Sequence, residues 1–324
     1  MRRNNYFSAQ KESMARYLAA LVLGAAGSAG ASSLELDLSS DGSYTLSLGG
    51  ALWLRSGPTF FTSDGVTHST ADGSLTLLTD PSSPSLTVGG ADALGEFNRT
   101  ELSWSLSANS GPSSAAAAAA EAAPVVVTAF QIYSSGDTVV FEQRFPSGLN
   151  GTSTDASDPS AARSHVSSGF PTFLSAEDND GDGGDGATSM PAKGFVSWGG
   201  RFLEGSKAGA WKDGGLASGE YSGPFALFDG DAADARAGGA LVVSSFSNFA
   251  VSSHEVVSSP AKGVQLGLLG SVQAVPAGFA LRTIACARGG ADGAGGVTAA
   301  VKAWGDATLK AHGTGPRAND PTLR

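Results

Sequence analysis

Few stretches of this chain combine residue types that could do chemistry. In "GFVSWGGRFLEG", Trp198 and Arg201 flank two glycines, so the backbone can bend and approach a ligand closely. An indole face beside a guanidinium fork suits a sugar ring, which stacks and accepts hydrogen bonds. The same pair also reads as a core Trp next to a surface Arg, and both readings stay open. "ALWLRSG", with Trp53 and Arg55, raises the question more weakly. The acidic run Asp178-Asn179-Asp180-Gly181-Asp182-Gly183 places oxygens at positions 1, 3 and 5 and a glycine at position 6 of a calcium loop. Ser189 stands where the closing bidentate Glu belongs, so the expected metal content is none. His68, His165, His254 and His312 lie far apart, and none pairs with Cys or His at ligand spacing. Cys286, the single cysteine, sits in the apolar run "LRTIACARGG" and reads as a small buried strand residue. No GxSxG elbow, P-loop or HExxH occurs, so the expected cofactor is none and no catalytic residue stands out.

The elements that would have to position these residues are strands. "SLELDLSS" alternates Leu34, Leu36 and Leu38 with Glu35 and Asp37, and "SYTLSLGG" continues the period of two. Such alternation puts one face on a core and the other toward water. "SLTLLTD", "ELSWSLSA", "VVVTAFQIYSSG", "DTVVFEQRFPSG", "GPFALFDG", "GALVVSSFSNFAVSS" and "GFALRTIACARGG" follow, nearly all closed by Gly, Pro, Asp or Ser. Residues 125–140 read as a hairpin turned at Ser134-Ser135-Gly136-Asp137. Many short strands without helices between them predict an all-β, large antiparallel sandwich. One helical pattern follows, with Val297, Val301, Trp304 and Thr308 on one side.

The predicted organisation is an N-terminal extension and signal peptide over 1–31, a sandwich over 32–296, and a linking helix with a further segment over 297–324. Insertions are expected at 107–124, 150–169 and 175–190, because these stretches cannot bury enough apolar surface to fold alone. Residues 14–33 have a basic start at Arg16, a short apolar core and Ala29-Gly30-Ala31 as a cleavage site, with Met1 or Met14 as the start. Secretion is therefore expected, and the sequons at Asn98 and Asn150 agree with it. The apolar run is too short to span a membrane. With 30 acidic against 20 basic residues and a net charge of -10, nucleic acid and anionic membranes are poor partners.

Several blocks resemble the N-terminal sandwich of α-galactosidase and raffinose-synthase-like glycoside hydrolases of the algal and protist type. They are "LWLRSGPTFFTSDG", "VVFEQRFPSGLNGT", "FPTF", "GFVSWGGRF", "SGPFALFD", "LVVSSFSNFAVSS" and the stretch from "GLLGSVQAVPAGFALRTIACARGG" through "AAVKAWGDATLKAHG". The resemblance spans roughly residues 50–322. It implies a (β/α)8 barrel beyond a segment like Asp320-Pro321-Thr322, with the catalytic carboxylates on that barrel. No position here matches their motifs, so the catalytic residues expected of this chain are none. The resemblance thus implies the non-catalytic sandwich of a secreted glycoside hydrolase acting on α-galactoside-like carbohydrates. A free-standing carbohydrate-binding or cell-surface module, or a complete enzyme of unknown mechanism, are the competing readings.

Overall fold

The computed structural model describes residues 33–79, 87–107, 124–154, 165–174, 193–199, 205–211, 223–229, 238–257, 263–289 and 296–315. The signal-like segment, Arg201, the acidic run at 178–183 and the insertion 107–124 except residues 107 and 124 lie outside these residues.

Two antiparallel sheets face each other. The smaller has six strands in the order β1 (Leu34–Leu38), β2 (Tyr44–Leu48), β3 (Ala51–Ser56), β13 (Thr172–Leu174), β19 (Gly263–Leu268) and β18 (Ser252–Val257). The larger has ten strands. Its path runs β15 (Gly205–Ala210), β14 (Lys193–Gly199), β16 (Phe225–Asp229), β17 (Ala240–Ser245), β21 (Phe279–Arg288), β10 (Thr138–Phe145), β9 (Val126–Tyr133), β8 (Glu96–Leu106) and β6 (Leu75–Leu77), with β7 (Thr87–Ala91) also on β8. A three-stranded sheet of β12 (Ser168–Gly169), β4 (Phe60–Ser63) and β5 (Val66–Ser69) closes one end, beside the pair β11 (Leu149–Asn150) and β20 (Ala274–Val275). The fold is mostly β and antiparallel, with one C-terminal helix, α1 (Val297–Ala311), as the alternation and the terminal helical pattern predict.

The expected hairpin forms: β9 and β10 pair from Ile132–Val139 onward, and Gly136 takes φ 72 in the turn, where a side chain would be strained. The alternating residues of the facing strands make the core. Tyr44 of β2 meets Phe130 of β9 edge-on at 5.1 Å between ring centroids, with Phe141 at 5.6 Å and Phe173 at 6.2 Å. These offset geometries match the ring quadrupoles and fill the space between the sheets. At the sandwich end, Gly267 of β19 lies so close to Ser168 that a Cβ there would come within 1.8 Å of the Ser168 carbonyl oxygen. Only a glycine lets β12 and β19 approach this far.

The ends of the 150–169 stretch belong to this framework. Thr152 and Ser167–Phe170 are buried, and the Thr152 hydroxyl donates to the Val272 carbonyl. The polar composition predicts an insertion over the whole stretch, but at its ends the Thr152 and Ser168 hydroxyls donate to Val272 and Gln143 inside the fold.

Candidate functional site

The outer face of the ten-stranded sheet divides into two territories. Helix α1 packs over β16, β17 and β21. Its Ala300 is buried, and Val297, Val301 and Trp304 rest on Ala226, Phe228, Ala240 and Val242. Trp304 and Ala307 also meet Val140, Ile284 and Cys286. Burial pushes the Cys286 thiol up to about 12, so it stays protonated and inert. That matches the expectation of a small buried strand residue.

Trp198 points to the same face. It is half-buried against the apolar cluster beneath α1, beside Val196. The structure therefore brings Trp198 to the helix, while Arg201 lies outside the described residues. Trp53 has a different fate: it is 1% exposed, inside the sandwich, with the Lys193 ammonium 3.8 Å from its ring centroid. The ligand-stacking reading of Trp53 and Arg55 is thereby excluded for Trp53. Lys193 is itself buried and pairs with Asp229. A cation on an indole face with a carboxylate partner keeps its charge compensated inside the core.

The second territory lies on β8, β9, β10 and β21 and carries charge. Residues of one face alternate along each strand, so Arg99 and Glu101 of β8, Gln131 of β9, Glu142 and Arg144 of β10, and Arg282 of β21 project together. Register places Glu101 opposite Ala129, Ala129 opposite Glu142, and Glu142 opposite Arg282. Ala129 is small, and Arg99 reaches past it. Arg99 Nη2 donates to both Glu101 Oε1 and Glu142 Oε1, each at 2.7 Å, and Nη1 donates to Gln131 at 3.0 Å. Arg282 Nε donates to the other Glu142 oxygen at 2.7 Å. Arg144 is held more loosely, its Nη2 lying 3.2 and 3.4 Å from the Glu101 oxygens. Burial pushes the Glu142 carboxyl up, but the hydrogen bonds and charges of Arg99 and Arg282 outweigh it and hold the group below the usual carboxylate range.

This cluster was missed in the sequence. Its signal is there: "NRTELS" and "FEQRF" each put opposite charges two residues apart, on one face of a strand. Beside it, Tyr133 donates to Asp92 at 2.7 Å. Burial raises the phenol well above its ordinary value, with Asp92 adding to the shift.

The remaining candidates separate. His165 pairs with Glu255 at 2.6 Å, His254 packs on Phe225, His68 on Phe61, and His312 lies 3.1 Å from the Phe246 carbonyl oxygen. Among the described residues no group of three or more His, Cys, Asp or Glu is placed to hold a metal ion. No helix among them is long and apolar enough to cross a membrane. Asn150 is exposed on β11, whereas Asn98 is half-buried in β8 at an open depression of about 380 Å³ beside Gly89 and Gly90.

No protein-family model matches the chain, and no curated protein matches it in sequence. Solved structures do align with it in part. A variant of a glycoside hydrolase family 97 enzyme from Pseudoalteromonas sp. strain K8 aligns with a TM-score of 0.43 and 10% identity, over 78% of this chain and 34% of that one. Another structure of that enzyme, in complex with panose, gives 0.42 and 11% over 78% and 34%. A ligand-free α-N-acetylgalactosaminidase from Bifidobacterium bifidum gives 0.43 and 12%, over 87% of this chain and 38% of that one. The chain thus spans little more than a third of the length of these enzymes.

Proposed function

We propose that this chain is the non-catalytic sandwich of a secreted glycoside hydrolase acting on α-galactoside-like or related carbohydrates. The sequence blocks that resemble that family form strands of both sheets and α1. The single observation that supports the non-catalytic part is the state of Glu101 and Glu142. A retaining glycosidase needs two carboxyl groups about 5–5.5 Å apart with the scissile bond between them. Here both carboxylates contact the same Arg99 nitrogen at 2.7 Å, so the two groups are close neighbours. The guanidinium, however, occupies the place of the sugar. It also holds Glu142 ionised, so that group has no proton to give a leaving oxygen at neutral pH.

Catalysis in this reading belongs to a (β/α)8 barrel partner, and the sandwich supplies support and weak sugar contact at Trp198 and Arg201. Secretion completes the proposal, with glycans at Asn98 and Asn150. The test is an aryl α-galactoside assay of the purified chain. No turnover is expected, and Glu101→Gln and Glu142→Gln should change nothing. Turnover lost in either variant overturns the reading.

A further inference from the structure

The charged territory has more cationic donors than its own acceptors use. Arg99, Arg144 and Arg282 face two carboxylates, Glu101 and Glu142, on the same patch. Asp92, the neighbouring acid, accepts from the Tyr133 hydroxyl and the Leu94 amide. Counting Asp92, three guanidinium groups meet three carboxylates, so what this face holds in surplus is N–H donors rather than net charge.

Two of the three arginines have donors to spare. Among the described residues Arg282 is bound through its side-chain Nε only, and its side chain is 47% exposed. Arg144 is 39% exposed, and its buried Nε has no hydrogen-bond partner. A donor left unpaired costs free energy, which an acceptor recovers once the Arg144 side chain turns its buried Nε outward. Register makes these two residues diagonal neighbours, since Arg282 stands opposite Glu142 and Arg144 opposite Ala280. Diagonal positions across an antiparallel pair lie about 7–8 Å apart, within reach of long side chains. Glu142 anchors the Arg282 fork from below. The longer contacts of Arg144 leave it free to turn.

The geometry points to an oxyanion site: the Arg144–Arg282 pair on the open half of the large sheet receives a carboxylate or sulfate group, free or carried on a saccharide. Planar guanidinium forks match such oxygens in bidentate fashion, and an exposed site of this kind is salt-sensitive. The site is independent of the glycosidase reading, because it rests on the charges of this face alone.

The test is calorimetric titration of the whole chain at low ionic strength with sodium sulfate, sodium glucuronate, galactose 6-sulfate and galactose. The anions should bind at roughly millimolar concentration, and galactose should not compete with them. Arg144→Gln and Arg282→Gln should each weaken anion binding about tenfold, the loss of one charge-assisted contact. Lys302→Gln, on the exposed face of α1, should leave it unchanged. Galactose 6-sulfate binding tighter than sulfate identifies a saccharide-borne group, and equal binding identifies the free ion. If the arginine variants do not fold, the Arg Nε–Hε resonances of the unaltered chain give the answer. Sulfate should shift that of Arg144, and chloride at equal ionic strength should not. Absence of anion binding, or equal shifts with chloride, overturns the proposal.

Discussion

Strand β10 crosses two surfaces that differ in every respect but their backbone. Val140 lies beneath α1 with Ile284 and Cys286, in an apolar seam. One turn of the pleat later, Glu142 and Arg144 stand in a polar network with no helix above them among the described residues. The same ladder to β21 holds both. Backbone pairing therefore does not determine what a sheet face is for; the side chains two residues apart do. The apolar half gains stability by removing surface from water, even though the buried Trp304 indole N–H has no hydrogen-bond partner there among the described residues. The charged half gains it from interlocked hydrogen bonds, and it leaves donors over.

The largest expected effect comes from removing Glu142. Glu142→Ala leaves Arg99 without its most buried partner and should cost about 3–5 kcal/mol, read as a lower urea midpoint. A loss no greater than that of Lys302→Ala would mean the network is solvated and the two halves are more alike than their contacts suggest. Trp304→Ala attacks the other half. The indole is half-buried, so about 2 kcal/mol is expected. Amide exchange should accelerate in α1 while the sheet beneath stays protected, and thiol reagents should reach Cys286 faster.

Acid should separate the halves further. Glu142 has its pKa lowered in the folded state, so its contribution is fully present above the unfolded carboxylate value of about 4.3. It is lost as pH falls through the lower folded value. Between pH 5 and 2 the unfolding midpoint of the unaltered chain should therefore fall more steeply than that of Glu142→Gln. Parallel slopes would remove the network from the account of stability. The smallest effect belongs to the exposed Lys302–Asp306 pair on α1, with the nitrogen and oxygen 2.8 Å apart. The basic residue precedes the acidic one, which is the weaker orientation, and Lys302→Ala should cost only about 0.2 kcal/mol.

Much of the architecture was legible because it depends on local pattern. Leu34 is buried and Glu35 exposed, as alternation requires, and Gly136 turns the hairpin where turn residues cluster. The seam residues Val297, Val301 and Trp304 were readable as one helix face. Of the two readings open for Trp53 and Arg55, a core Trp beside a surface Arg is the one that holds, and the register of β2 on β3 shifts between Leu46 and Ser47 at this point. Trp53 and Leu54 are consequently both buried in succession, and Arg55 faces out. No period-two reading anticipates such a shift. The charged network was invisible for another reason. Its members come from residues 99, 142 and 282, and only the order of strands, which local sequence does not encode, makes them neighbours.

That strand order also imposes a timetable. Strand β21 lies between β10 and β17 in the middle of the large sheet. Before residues 279–288 leave the ribosome, β8–β9–β10 and β14–β16–β17 are two separate sheets, each with a raw edge waiting for the same strand. Neither half can acquire its final neighbour from anything made earlier. From the completion of β17 until β21 is made, the nascent chain carries both open edges, the condition in which strand-rich proteins mispair with one another. Closure of the large sheet is a late, long-range event that joins both edges in one step, and the strand that makes it is the last in sequence among those described.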